Sequence, residues 1–252
     1  RAQNGLAQDF LKAGLLDRAE EALQRLEGSA YEAEARLALL GIYERSRDWA
    51  QAAEIARRMQ DANQGDFSGR LAHYLCEQAN EQASHAQLDA ALPLLQEAVR
   101  IAPQTSRPRL ELARMQHRLS QSREAWQTLQ DLAQATPQGL PLAAPLLLEV
   151  AAATGEQAAA AQLMRTRYEQ MPSLDLLDAL VALGTAPQEG QGESRDWYVQ
   201  HLAKEPSLVA ATKWLAGEKL EHEEHHPAVQ KALEHASKPL SRYRCAACGF
   251  EA

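Results

Sequence analysis

Four prolines set the period of this chain. Pro103, Pro137, Pro172 and Pro206 are separated by 34, 35 and 34 residues. The residues ahead of them repeat as well. Ala91, Leu95 and Ala98 precede Pro103 as Ala125, Leu129 and Leu132 precede Pro137, each alanine 12 residues before its proline. The register runs back through Ala52, Ala56 and Met59, and through Ala19, Leu23 and Leu26, with Phe10 and Tyr43 each nine residues ahead of their alanine. A period of this length describes a supersecondary unit stacked on copies of itself, because one unit alone cannot bury its apolar face.

The pattern is that of tetratricopeptide repeats, two antiparallel helices per 34 residues. Small residues (Ala7, Ala79 and Ala113 on the first helix; Ala19, Ala52, Ala91 and Ala125 on the second) fall where the two backbones approach. Proline closes the second helix because it lacks an amide donor and constrains the residue before it. The turns "AGLLDRA", "SRDWAQA", "SHAQLDAA" and "LSQSREA" link the helices. Asp17, Asp48, Asp89 and Ser122 cap or charge the start of the second. Repeats are read at about 1–30, 33–66, 71–104 and 105–138, with a degenerate fifth at 139–172. The predicted fold is an all-α superhelical solenoid. Residues 173–236 are read as degenerate helical repeats, 237–242 as a linker, and 243–252 as the start of a small metal domain.

Composition agrees with helix and narrows the function. Aromatics make up 5% of the 252 residues, and β-branched residues are few. The net charge of -8 offers no basic field for nucleic acid. No apolar run approaches the roughly 20 residues of a spanning helix, and no signal peptide is evident. The chain opens on Arg1 and closes inside a motif, so it reads as a fragment. With three cysteines, one of them solitary Cys76, no disulfide framework is described.

A repeat stack presents a concave groove lined by the first helix of each pair, suited to peptides or proteins and holding no preformed catalytic machinery. By register the groove residues are Gln8, Leu37, Glu44, His73, Cys76, Asn80, Arg107, Leu110, Arg114 and His117. Arg107 and Arg114 lie two turns apart and can grip a carboxylate. A chaperone-type clamp for an acidic C-terminus has no match, since Asn4 and Gln8 stand where it wants Asn and Lys.

Two motifs carry metal chemistry. "HEEHH" satisfies H-E-x-x-H at His222, Glu223 and His226. Pro227 follows at once, no third ligand is evident, and the flanking run is densely charged, so a surface helix end is the expectation and a metallohydrolase the remote alternative. Cys245 and Cys248, followed by Gly249, form one knuckle of a tetrahedral thiolate site.

"FLKAGLLDRAEEALQRL", "IYERSRDWAQAAEIARRM", "AHYLCEQA", "LDAALPLLQEA" and "YRCAACGF" together resemble the bacterial lipopolysaccharide assembly protein B family, also called LapB or YciM. The region 184–226 departs from the family pattern. The resemblance implies a membrane helix ahead of Arg1 and an inner-membrane, single-pass protein facing the cytoplasm. It implies a second cysteine knuckle beyond Ala252 completing a rubredoxin-like domain around one iron or zinc ion. It further implies a non-enzymatic scaffold that brings the deacetylase LpxC to the protease FtsH, modulated by the membrane sensor PbgA (YejM). A repeat adaptor docking other lipopolysaccharide enzymes is the alternative. Self-association stays open.

Overall fold

The computed structural model describes residues 2–184, 194–205 and 207–216, and all regular structure among them is helical. The first pair is α1 (Ala2–Lys12) with α2 (Leu16–Gln24), the second α3 (Glu32–Ser46) with α4 (Trp49–Asp61), and the third α5 (Ser68–Ser84) with α6 (Leu88–Ile101). Then come α7 (Ser106–Arg118) with α8 (Ser122–Ala135), and, after a short 3₁₀ turn at Pro137–Gly139, α9 (Leu140–Thr154) with α10 (Gln157–Gln170). Beyond them lie α11 (Leu174–Ala182), α12 (Ser194–Lys204) and α13 (Leu208–Ala216). The tetratricopeptide pairs thus fall where the proline and alanine register puts them.

The chain divides into two compact units, 1–112 and 113–252, with the boundary inside α7. In the first unit each helix packs on the next in sequence from α1 to α6. Ala7, Ala19, Ala52, Ala79 and Ala91 have no exposed surface, which is what a close crossing of backbones demands. In the second unit Ala113 and Ala125 are equally buried, and Leu129, Leu132, Leu147 and Met164 complete a core of larger side chains. There α9 packs against α8, α10 and α11.

The turns show why the two helices of a pair stay in register. Gly14, Arg47, Ala86, Ser120 and Gly155 each lie two residues before the second helix, and all five have positive φ between 57° and 80°. The next amide reaches back five residues in every case: Leu15 to Phe10, Asp48 to Tyr43, Gln87 to Gln82, Gln121 to Gln116 and Glu156 to Ala151, all at 2.9 Å. This is a Schellman closure repeated five times, and in three of the five turns a residue with a Cβ holds the left-handed position. Asp48 is a true N-cap, accepting from the Gln51 amide at 3.1 Å. Asp17 and Asp89 instead sit inside the first turn as charges facing the helix dipole.

Pro103 and Pro172 follow the ends of α6 and α10, and Pro137 opens the 3₁₀ turn after α8. Pro206 lies outside the described residues. Two further prolines, Pro93 and Pro145, sit inside α6 and α9 on solvent-exposed positions. There water can satisfy the carbonyl that each ring frees, so the helices run on.

Candidate functional site

The first-helix face of unit one carries a polar row assembled from consecutive repeats. α5 supplies its middle. Arg70, Tyr74 and Glu77 are spaced by four and three residues and share one face of that helix, with His73 beside them. α3 contributes Glu44 from its last turn, and Arg107 enters from the first turn of α7.

Glu44 Oε1 accepts from Arg70 Nη2 at 2.8 Å and, more closely, from the Tyr74 hydroxyl. Arg70 Nε also donates to Tyr74 Oη at 3.1 Å. Burial alone would raise the Glu44 pKa, but the Tyr74 and Arg70 bonds outweigh it and hold the carboxyl below its ordinary value. Burial, and then this bond to the Glu44 carboxylate, pushes the Tyr74 phenol up.

One step on, Arg107 Nη1 lies 2.6 Å from His73 Nδ1, and Arg107 Nη2 donates to Glu77 Oε1 at 2.5 Å. Arginine only donates, so His73 Nδ1 accepts and the ring is neutral with its proton on Nε2. Burial, then the charge of Arg107, lowers the His73 pKa and keeps it neutral. Trp49, from the start of α4, stacks on Tyr74 at 6.3 Å and meets the His73 ring edge-on at 5.9 Å. The row is therefore braced by aromatics and preset before any partner arrives. Asn4 Nδ2 to Glu34 at 3.4 Å ties the first repeat to the second on neighbouring helices.

Nothing in this row is an activated nucleophile or a poised base. It has charges, a neutral imidazole and an aromatic platform in fixed positions, which suits recognition of a protein surface. Among the described residues no three His, Cys, Asp or Glu side chains gather to hold a metal ion.

The structure unites Glu44, His73 and Arg107 of the predicted groove residues. Gln8 and Leu37 are exposed and Asn80 is half-buried in the same unit. Cys76 and Leu110 are corrections. Cys76 is 0% exposed and Leu110 8% exposed, so neither lines a groove. The free strip of an inner helix with neighbours on both flanks is narrow: His73 remains outside, while Cys76, three residues on, turns under. Burial pushes the Cys76 thiol up to about 12, so it is neither nucleophile nor ligand.

Arg107 is also not an open carboxylate grip, because Glu77 and His73 already occupy it. Arg114 and His117 belong to the second unit, where His117 Nδ1 is 3.2 Å from Ser122 Oγ and its Nε2 3.9 Å from Glu149. Sequence reasoning missed Arg70, Tyr74, Glu77 and Trp49. The four-and-three spacing on α5 was the signal available. It also missed Arg109, buried and donating to the Pro103 carbonyl at 2.5 Å, which ties the end of the third repeat to the start of the fourth. His222, Glu223, His226, Cys245, Cys248 and the hairpin expected at 243–250 lie outside the described residues.

No family profile matches the chain. Curated proteins do. Lipopolysaccharide assembly protein B of Escherichia coli K12 is 22% identical over 253 residues, covering 98% of this chain. The chain is similar to lipopolysaccharide assembly protein B. The Haemophilus influenzae Rd protein of the same name is 24% identical over 258 residues, covering 99% of the chain. The chain spans 65% and 64% of the length of these two LapB proteins. Among solved structures, the type IV pilus biogenesis factor PilW is 18% identical with a TM-score of 0.43, covering 85% of this chain and 97% of that one. YrrB, a tetratricopeptide-repeat protein with an unusual peptide-binding site, is 17% identical with a TM-score of 0.41, covering 71% and 88%. At these scores the likeness adds nothing to the helix pairs themselves. Among the described residues no helix is long and apolar enough to cross a membrane.

Proposed function

We propose that the chain is the docking scaffold of a LapB-type protein, working in lipopolysaccharide assembly without covalent chemistry of its own. The observation that carries this is the similarity to LapB over 98% of the chain. The preset row Glu44–Arg70–Tyr74 and His73–Arg107–Glu77 supports it, because charges already held in place lose less freedom on binding.

In this reading the row on α3, α5 and α7 engages the deacetylase LpxC and holds it beside FtsH at the inner membrane, with PbgA setting the response. Tethering a client next to a protease raises its effective concentration, so modest affinity suffices. Cys245 and Cys248 are the proposed first pair of four thiolate ligands to one iron or zinc ion in the intact protein. Two thiolates two residues apart suit a soft tetrahedral ion. Metal analysis of the intact protein and of Cys245→Ser should read one equivalent and none.

The test of function is made in cells. The intact protein carrying His73→Ala and Arg107→Ala replaces the wild type at equal abundance, and LpxC is measured by immunoblot. LpxC should rise several-fold. Unchanged LpxC together with loss of other lipopolysaccharide enzymes from a pull-down points to the general adaptor instead. Unchanged LpxC and an unchanged pull-down end the docking reading.

A further inference from the structure

Several arginines on the repeat surfaces are paired. Arg36, Arg57, Arg58, Arg70 and Arg107 each meet a carboxylate. Arg167, near the C-terminal end of α10, does not. Its one polar contact among the described residues is from Nη2 to the Met171 thioether at 3.7 Å, and its Nε is buried with no acceptor. Burial lowers the pKa of Arg167, whereas that of Arg58, Arg70 and Arg107 is raised. A half-buried guanidinium with unmet donors is a cost to the fold unless something else supplies the acceptor.

Arg167 lines an open cleft of about 400 Å³ between α10 and the segment that joins α8 to α9. Leu163 precedes Arg167 by one turn, and Pro137 and Leu140 form the opposite wall, so the cleft is apolar on both sides of the cation. Gln162, Thr166 and Gln170 form a polar row beside them at successive turns of α10. From 162 to 170 that row runs about 12 Å at 1.5 Å per residue. An extended backbone covers this distance in about four residues. Gln170 and the Gln162 amide oxygen can bond its peptide groups, while the Thr166 hydroxyl already donates to the Gln162 carbonyl at 3.0 Å and accepts from Gln162 Nε2 at 3.5 Å.

We propose that this cleft binds an extended, apolar peptide segment of a partner protein through one acidic side chain, whose carboxylate accepts from Arg167. The open ends favour a segment passing through over a chain terminus, which needs a closed end to hold it. The site is on the second unit and stands independently of the docking row on the first.

The experiment uses an array of capped hexapeptides, apolar at all positions except a central Glu, each beside its Gln twin. It is probed with the whole chain, with Arg167→Gln and with Arg25→Gln, an exposed arginine outside both sites. For the best-retained sequences the Glu member should bind at least about tenfold more tightly than its Gln twin, as expected for a charge-assisted bond to arginine. Arg167→Gln should abolish that preference and Arg25→Gln should leave it. A second measurement needs no peptide. Arg167→Met should melt at the same temperature as the parent or higher, since it removes an unmet charge. The proposal is overturned if no peptide is retained, if Glu and Gln twins bind alike, or if the preference survives Arg167→Gln. It is equally overturned if only peptides with a free C-terminal carboxylate are retained, or if Arg167→Met lowers the melting temperature by several degrees.

Discussion

Arg107 and Arg167 are both partly buried, and they differ in what meets them. Arg107, in the first unit, has a carboxylate at 2.5 Å and an imidazole at 2.6 Å, both from the helix one repeat earlier. Arg167, in the second, has a thioether at 3.7 Å. Where repeats are regular, a side chain meets a neighbour about 30 residues back, and pairing spreads along the stack. Arg167 meets no such neighbour among the described residues, although Lys213 in the same unit reaches back to Asp178. The second unit also makes polar bonds closer to its core. Tyr168 Oη lies 2.9 Å from Nδ1 of His201, which is 0% exposed, and Tyr198 donates to Asp178 at 2.8 Å. The row on the first unit is thus held in fixed positions by bonds within the chain, whereas Arg167 keeps an unmet donor.

The largest effect expected from breaking that regularity is in packing. Ala91→Leu puts three heavy atoms into the crossing of α5 and α6, where Ala91 is 0% exposed, and should cost about 1–3 kcal/mol in chemical denaturation. An unchanged midpoint would mean the alanine register has no structural role. Next comes the buried bond of the second unit. Tyr168→Phe leaves His201 without the hydroxyl and should cost on the order of 1–2 kcal/mol, as for other buried unmet groups. Tyr43→Phe, whose hydroxyl reaches half-exposed Glu20 at 2.9 Å, should cost clearly less. Equal losses would erase the contrast between the units.

The turns should respond in opposite directions. Ala86 holds φ of 61° with a Cβ and Gly155 holds 80° without one. Ala86→Gly should gain up to about 1 kcal/mol and Gly155→Ala should lose about as much. The smallest effect is electrostatic. The His73 pKa is lowered from its ordinary 6.5, so the unfolded chain binds more protons than the folded one as pH falls through that value. The stability that neutral His73 provides is present above pH 6.5 and declines below it. His73→Gln, which keeps an acceptor for Arg107, should flatten this decline between pH 7 and pH 5, measured as the difference between the two denaturation profiles.

The helix pairs were legible because a crossing of two backbones admits only small residues. Ala19, Ala52, Ala91 and Ala125 therefore recur whatever surrounds them. Glu44, His73 and Arg107 were legible as outward positions, but not as one row. Their bonds depend on Arg70, Tyr74 and Glu77 reaching across from α5, and no short motif encodes that. Cys76 and Leu110 were misplaced because periodicity gives the direction of a side chain and not the width of the strip its neighbours leave open. Arg167 was invisible for the opposite reason. Its distinction is a missing partner, and an unmet donor leaves no trace in residue order. The helix of His201 was evident in "RDWYVQHLAKEP", yet its burial depends on Tyr168, 33 residues earlier.

The proposed docking of LpxC rests on the row on α3, α5 and α7. It is tested most directly by titrating purified LpxC with the whole chain by calorimetry, beside a His73→Ala, Arg107→Ala variant shown by circular dichroism to keep its helix content. Saturable binding by the parent, weakened at least about tenfold in the variant, is the predicted result. Equal affinity of the two, or no binding by the parent, would contradict it.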